Sequence, residues 1–427
     1  MHTEFTDAQR QDPYIQEADK ILRKCVHCGF CTATCPTYRL LGHESDSPRG
    51  RVYLVKRLLE NPGAPSETLV GHLDRCLSCL SCMTTCPSGV DYRHLMDHAR
   101  AEVDRRFDRG VSERLFRNLL VDHLSEPKRF RRMLKLAGWA RPFKAMLPGV
   151  MGEMVAKAPA RLPMPATTDQ PGVFKAEGEQ IGRLALLPGC VQPVLRPDIN
   201  AAAIRLLTRH GFEVVVPEGL GCCGALAHHM GKEPESKARV RQNIDALERC
   251  EREVGPIDHW VMTASGCGSM AKDYHHVLKD DESWRDRARS WSERARDLVE
   301  ILDPLYLRVT PLDSAPAVAV HNPCSLQHGQ KITGLPGELL VRCGFSIQTP
   351  KNAHLCCGSA GTYSLLQPDL SKQLRDDKVS ALTATGATLV ASGNIGCLEH
   401  LAGNEAFDVV HWVELMDWAT GGPQPDL

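Results

Sequence analysis

The sequence predicts a multi-domain α+β protein, with an α-helical N-terminal domain followed by two copies of a cysteine-rich α/β domain. Three observations carry this. Eight of the eighteen cysteines fall into two copies of one tight spacing near the N-terminus. A proline-rich stretch then separates them from the rest. Beyond it, a strand–helix pattern with four cysteines recurs at matching intervals, the rhythm of α/β layers with parallel strands.

The first cysteine run is Cys25-x-x-Cys28-x-x-Cys31-x-x-x-Cys35-Pro36, and the second is Cys76-x-x-Cys79-x-x-Cys82-x-x-x-Cys86-Pro87. A two-residue gap lets three thiolates of one loop converge on three corners of an iron–sulfur cubane, while the fourth reaches the neighbouring cluster. The expected ligands of one [4Fe–4S] cluster are therefore Cys25, Cys28, Cys31 and Cys86. Those of the other are Cys76, Cys79, Cys82 and Cys35. Proline after each fourth cysteine, with fixed φ and no N–H, suits a chain turning away from the cluster. Structural zinc usually presents two ligand pairs across a longer spacer, and disulfides between cysteines this close would be strained. Residues 1–110 are thus expected to form a dicluster, ferredoxin-like domain that carries electrons. Its helices are expected over Glu17–Lys24, over Arg51–Leu59 after the Asp46–Gly50 turn, and around Leu95–Phe107.

A length of 427 residues suggests about three domains. Lysine plus arginine (51) nearly balances aspartate plus glutamate (52), so bulk charge steers the chain toward neither nucleic acid nor acidic substrates. The opening MHTEFTDAQRQDPY has no apolar core of a signal peptide, and no apolar run is long enough to span a bilayer. Without an export signal, many cysteines point to metal binding rather than disulfides. The expected location is the cytoplasm, with the inner face of the cytoplasmic membrane as a surface for peripheral attachment.

Residues 111–155 read as a basic helical connector. From Pro127 to Gly152 there is no acidic residue, while Lys128, Arg129, Arg131, Arg132, Lys135, Arg141 and Lys144 are interleaved with Phe130, Met133, Leu134, Leu136, Trp139, Phe143, Met146 and Leu147. That composition suits an interfacial helix at anionic lipid. Gly138 and Pro142 interrupt it, which favours packing on a neighbouring domain or an acidic partner. Residues 156–182, with Pro159, Pro163, Pro165 and Pro171, read as an extended linker.

The first repeat spans 183–310. Its strand Leu184–Leu187 leads to Cys190, and a helix follows from about Asn200 to Arg209. The strand-like Gly211–Pro217 leads to Cys222-Cys223-Gly224, helix Glu235–Glu251 follows, and strand Trp260–Ala264 leads to Cys267. The second repeat spans 311–427. There strand Ala317–Val320 leads to Cys324, Gly344–Gln348 to Cys356-Cys357-Gly358, and strand Thr388–Ala391, after helix Pro368–Ala381, to Cys397. Single cysteine and cysteine pair lie 32 positions apart in both copies. Strand ends are the usual ligand crevice of such sheets. Cys190, Cys222, Cys223 and Cys267 are therefore expected to meet at one site, and Cys324, Cys356, Cys357 and Cys397 at a second, as further iron–sulfur positions. Cys250 and Cys343 have no counterpart in the other copy and read as structural.

Gly219-Leu-Gly221-Cys-Cys-Gly224 formally matches a dinucleotide fingerprint. Its second copy, His354-Leu-Cys-Cys-Gly358, keeps the cysteines and loses two glycines, so the repeat preserves metal chemistry and not a phosphate cradle. No Walker loop, Gly-x-Ser-x-Gly or His-Glu-x-x-His motif occurs. The chain is expected to bind neither flavin nor NAD, to have no catalytic residue of its own, and to need a partner that oxidises substrate.

The stretches CVHCGFCTATCPTYRLLGHESDSPRGR from Cys25, LDRCLSCLSCMTTCPSGV from Leu73, TASGCG from Thr263 and HLCCGSAGTYSLLQPDLSKQLRDDK from His354 closely resemble the iron–sulfur subunits of glycolate oxidase (glycolate dehydrogenase). The Cys-Cys-Gly repeats also resemble lactate-utilisation proteins, the anaerobic glycerol-3-phosphate dehydrogenase anchor subunit and heterodisulfide reductase. The resemblance implies a complex in which FAD-bearing subunits oxidise glycolate to glyoxylate. This chain would pass the electrons singly toward quinone at the membrane.

One departure stands out. In heterodisulfide reductases the last cysteine of each repeat opens a Cys-x-x-Cys, but here Met270 follows Cys267 and His400 follows Cys397. That argues against five-thiolate clusters and leaves each repeat with an ordinary four-cysteine cluster or none, His400 being a replacement ligand or a hydrogen-bonding residue. The alternative functions are a lactate-, glycerol-3-phosphate- or disulfide-linked reductase subunit, and a redox sensor or scaffold. A sensor predicts clusters that respond to oxygen yet are reduced by no hydroxy acid.

Overall fold

The structure is a computed structural model that describes residues 1–142, 152, 155, 158, 159, 161–310, 312 and 315–426. The N-terminal part is helical: Pro13–Lys24, Pro36–Leu41, Pro48–Glu60, Glu67–Asp74, Ser81–Thr85 and Tyr92–Arg106. Several of these helices start as their sequences dictate. Asp12, Ser47, Ser66 and Asp91 accept from backbone N–H groups of the first turn, and Pro13, Pro36 and Pro48 open their helices where no N–H is needed. Ala18, Leu22, Val52, Val55, Leu58, Leu73, Leu95 and Met96 close a core beneath the cysteine loops.

Helices Gly110–Leu124 and Pro127–Ala140 follow. Phe130 is buried and Arg131 donates to Pro163 O at 2.6 Å and Pro193 O at 3.2 Å, so one side of the basic helix docks on the protein. Lys128, Arg129, Arg132, Lys135, Leu136 and Trp139 remain exposed. Phe143, Lys144, Met146 and Leu147 lie outside the described residues.

The linker is not wholly structureless. Its segment Gly172–Phe174 forms strand β1, antiparallel to β3 (Phe212–Val216) at the edge of the first sheet. That sheet continues through β2 (Gly182–Leu187), β4 (His259–Met262) and β5 (Ala295–Asp297), all parallel, in the order β1-β3-β2-β4-β5. The second sheet is wholly parallel, with order β7-β6-β8-β9 from β6 (Ala317–Val320), β7 (Ser346–Gln348), β8 (Leu389–Ser392) and β9 (Asp408–His411). Leaving out β1, both sheets have the same strand order, so the sequence repeat is a repeat of topology.

The two sheets share one core running from Leu184 and Leu206 to Trp412 and Met416. Helix Asp198–Arg209 packs on helix Trp412–Ala419, where Arg205 and Arg209 bond the buried Asp417 at 2.6 and 3.0 Å. Ser265 N donates to Gly393 O at 3.0 Å, which brings the cysteine-bearing ends of both sheets together. Among the described residues, no helix is long and apolar enough to cross a membrane.

Candidate metal centre

The two N-terminal cysteine loops share a backbone conformation. His27 and Ser78 sit at φ 56° and 51°, and Gly29 and Leu80 at φ 87° and 61°, at matching places in the two runs. Such left-handed residues cost about 1 kcal/mol or more unless glycine. Here they turn the chain between successive cysteines, so that the thiols of one loop face a common centre.

Cys25, Cys28, Cys31 and Cys86 line one cavity together with Val26, Arg49 and Pro87, and Cys82 forms its wall toward the second set. Burial and the neighbouring Cys25, Cys35 and Cys86 push the Cys31 thiol up to about 11. In the other set, burial and then Cys79, Cys76 and Cys35 push the Cys82 thiol well up. Burial would raise Cys76 too, but the Arg51 and Arg100 guanidiniums, the Ser78 amide and the Tyr92 hydroxyl outweigh it and lower its pKa. Cys86 of the second run thus lies at the cavity of the first, and Cys35 of the first run lies near Cys82 of the second.

The two sets differ in access. Cys28 is exposed, and beside it Val26 and Phe30 are 67% and 64% exposed. Cys35, Cys76 and Cys82 are buried. Leu77 packs with Cys356, Tyr363 and Leu374 of the second repeat, and Cys79 and Cys324 border the same cluster. Thr84 Oγ1 lies 2.8 Å from His328 Nδ1, and Tyr363 Oη donates to Arg75 O at 3.2 Å. Cys28 is thus the one exposed thiol of the eight, and the Cys79 loop adjoins the second repeat.

In the repeats the two sets of four cysteines open onto a single cavity. Cys190, Cys222, Cys223 and Cys267 line the same cavity, about 370 Å³, as Cys324, Cys356, Cys357 and Cys397, with Cys76, Leu77 and Ser78 at its edge. The physical reason is the shared core, which abuts the cysteine-bearing edges of the two sheets. Gly224 and Gly358 sit at φ 92° and 93°, and Gly358 N points at Cys356 Sγ, 3.4 Å away. The glycine of each Cys-Cys-Gly turn is there because only it adopts that φ freely. Cys324 Sγ lies 3.8 Å from Cys356 Sγ. The thiols of Cys190 and Cys324, then of Cys223 and Cys357, hold Cys222 and Cys356 well below the ordinary thiol range. The same pairings, with burial, raise Cys190, Cys223, Cys324 and Cys357 well above that range, so the thiols of each set share protons among themselves.

Of the histidines near these cysteines, His400 has its Nε2 3.3 Å from Ser371 Oγ, which donates to Gly358 O. A histidine the sequence reading missed lies among them instead. A ring nitrogen of His321 and the sulfurs of Cys357 and Cys397 lie within 4.8 Å of one another, all three residues buried. Cys250 and Cys343 are buried in the apolar cores.

None of the eighteen cysteines is in a disulfide. Sixteen thiols gathered in this way, with opposed helical loops in front and strand-end turns behind, define an iron–sulfur electron-transfer protein. A model of the 4Fe-4S dicluster domain matches residues 21–90, and one of the cysteine-rich domain matches residues 184–272 and 318–402. The chain is 42% identical to the glycolate oxidase iron-sulfur subunit of Escherichia coli K12, over 98% of this chain and 99% of that one. It is 31% identical to the "Probable glycolate oxidase iron-sulfur subunit" of Bacillus subtilis 168, over 93% and 92%. A lactate utilization protein A of an Exiguobacterium species matches 55% of this chain and 96% of its own length at 30% identity. The chain belongs to the family of glycolate oxidase iron–sulfur subunits.

Proposed function

We propose that this chain relays electrons from FAD-bearing partner subunits, which oxidise glycolate to glyoxylate, toward quinone at the membrane. Cys25, Cys28, Cys31 and Cys86 would hold one [4Fe–4S] cluster, and Cys35, Cys76, Cys79 and Cys82 the second, within a unit over residues 1–110. Cys190, Cys222, Cys223 and Cys267, and Cys324, Cys356, Cys357 and Cys397, would hold further iron–sulfur centres in repeats over 183–310 and 311–427. Bound clusters would supply one-electron redox chemistry, which lets a flavin's electron pair be taken up in single steps.

The observation that carries the reading is the continuity of cysteine sets from the exposed Cys28, through the half-buried Cys79, to the cavity lined by both repeats. The chain's own residues keep that route dry and charged as needed. Leu77, Tyr363 and Leu374 exclude water where the buried set meets the second repeat. Arg100 fixes the Cys76 loop through Cys76 O and Ser78 Oγ, both at 2.7 Å.

The outer face of helix Pro127–Ala140 supports placement at a cytoplasmic membrane surface. Lys128, Arg129, Arg132 and Lys135 flank Leu136 and an 84%-exposed Trp139, which suits an anionic headgroup layer. Sedimentation with phosphatidylglycerol vesicles checks this: Arg132→Glu with Lys135→Glu is expected to abolish binding.

The substrate is tested on the anaerobically purified complex. Glycolate is expected to bleach the broad visible iron–sulfur absorbance quickly and lactate weakly. Co-purified flavin subunits with no bleaching by glycolate would overturn the glycolate reading.

A further inference from the structure

The two repeats are matched in topology but not in what surrounds their cysteines. In the first, Leu187-Pro-Gly-Cys190 leaves β2; in the second, Val320-His-Asn-Pro-Cys324 leaves β6 one residue longer. The added length places His321 at the strand end, where its N–H donates to Ala391 O at 2.9 Å and pins the backbone to β8. The first repeat has no histidine there.

The His321 side chain is 1% exposed, and neither ring nitrogen has a nitrogen or oxygen partner; the polar group it faces is the Cys397 thiol, whose pKa it helps to lower. A buried polar atom left unpaired costs about 1–3 kcal/mol, so such groups are nearly always satisfied by something. What lies beside this ring is sulfur: Cys357 and Cys397, within 4.8 Å. Imidazole nitrogen is a good iron ligand, and two histidines replacing two cysteines on one iron is a known way to build an iron–sulfur centre of raised potential. A second difference has the same sense. The buried Lys378 donates to Asn352 O at 3.1 Å beneath the second site, whereas the neutral Asn243 holds Cys222 O at 2.9 Å beneath the first.

We propose that His321 is an iron ligand of the second repeat, so that this site is a mixed histidine–cysteine centre and the first repeat is ligated by cysteine alone. The proposal rests on the reading that the repeat cysteines hold iron–sulfur centres. The ligand taken is an iron ion of a cluster. The mixed site is the one that adjoins the buried N-terminal set, and its potential lies above that of the first repeat.

The test is pulsed EPR on the anaerobic, dithionite-reduced complex grown with ¹⁵N-histidine. The expected result is one strongly coupled histidine nitrogen. It is lost in His321→Leu and in His321→Cys, while Cys267→Ser leaves it in place. His321→Cys offers a replacement thiolate, so it keeps the centre and shifts its potential downward in a redox titration. This guards against a Leu variant that fails to assemble. A histidine coupling that survives both His321 variants, or a wild-type centre with iron in the repeats and no histidine coupling, would overturn the ligation while leaving the cluster reading intact. Iron limited to about eight atoms per chain, the content of two cubanes, would overturn both together.

Discussion

Arg51 Nη1 stands 4.0 Å from Cys35 Sγ, and the guanidinium is shut off from water at 1% exposure. It is held there by Thr37 Oγ1 at 3.0 Å, His72 O at 2.8 Å and Asp46 Oδ1 at 3.3 Å. Burial opposes its charge, but Cys76, Tyr92, Cys35 and Asp46 outweigh that and hold it protonated. A fixed cation beside ligand thiolates favours the more reduced, more negative state of whatever they bind. Arg51→Gln is expected to lower the potential of the buried centre by about 100–200 mV, the scale of one charge about 4–7 Å away at an effective dielectric of about 20. It should also destabilise the domain by about 3 kcal/mol, because Asp46 loses a buried partner. Arg51→Lys should keep most of the potential. An EPR-monitored redox titration reads these shifts.

The exchange of fourth ligands between runs gives a paired outcome. Cys86→Ser should remove the same cluster as Cys31→Ser, and Cys35→Ser the same cluster as Cys79→Ser. Each loses about four irons, and the residual EPR spectra should match within pairs. A match of Cys35→Ser with Cys31→Ser would mean that each run holds its own cluster.

His94 ties the N-terminal helix to the first repeat, with Nδ1 2.7 Å from Asp91 Oδ2 and Nε2 3.1 Å from Asp273 Oδ2. Burial alone would lower its pKa, but the Asp273 and Asp91 carboxylates outweigh burial and raise it to about 10. The stacked His276 ring, 3.5 Å away, and Arg93, near Asp273, face the same group. A folded-state pKa above the unfolded value of about 6.5 means that the charged pairs stabilise fully below pH ~6.5 and are lost as pH rises toward about 10. The thermal midpoint of the anaerobic complex should therefore fall from about pH 6.5 to about pH 9. Asp273→Asn should flatten that slope, and an unchanged slope in the variant would rule the linkage out.

Local features of the fold and site could be read from the sequence, and long-range ones could not. The eight N-terminal cysteines are spaced by the geometry of two short loops, so the spacing alone marks both runs. The parallel sheets follow from recurring apolar strands that lead to cysteines. β1 was hidden because Gly172-Val-Phe174 is three residues long, too short for periodicity, and lies in a proline-rich stretch. The common cavity was hidden because it depends on pairs such as Arg205–Asp417 and Ser265–Gly393, far apart in the chain. His321 left one faint signal, a histidine at a strand end where the other copy has none. His400 has the more conspicuous position in sequence, but the fold turns it to Ser371.

The relay along this chain is tested most directly with Cys79→Ser in the intact complex, since Cys79 sits where the exposed set gives way to the second repeat. Glycolate-driven quinone reduction is expected to vanish while glycolate still bleaches the partner's flavin. Undiminished quinone reduction in that variant would show that electrons do not pass through the buried set.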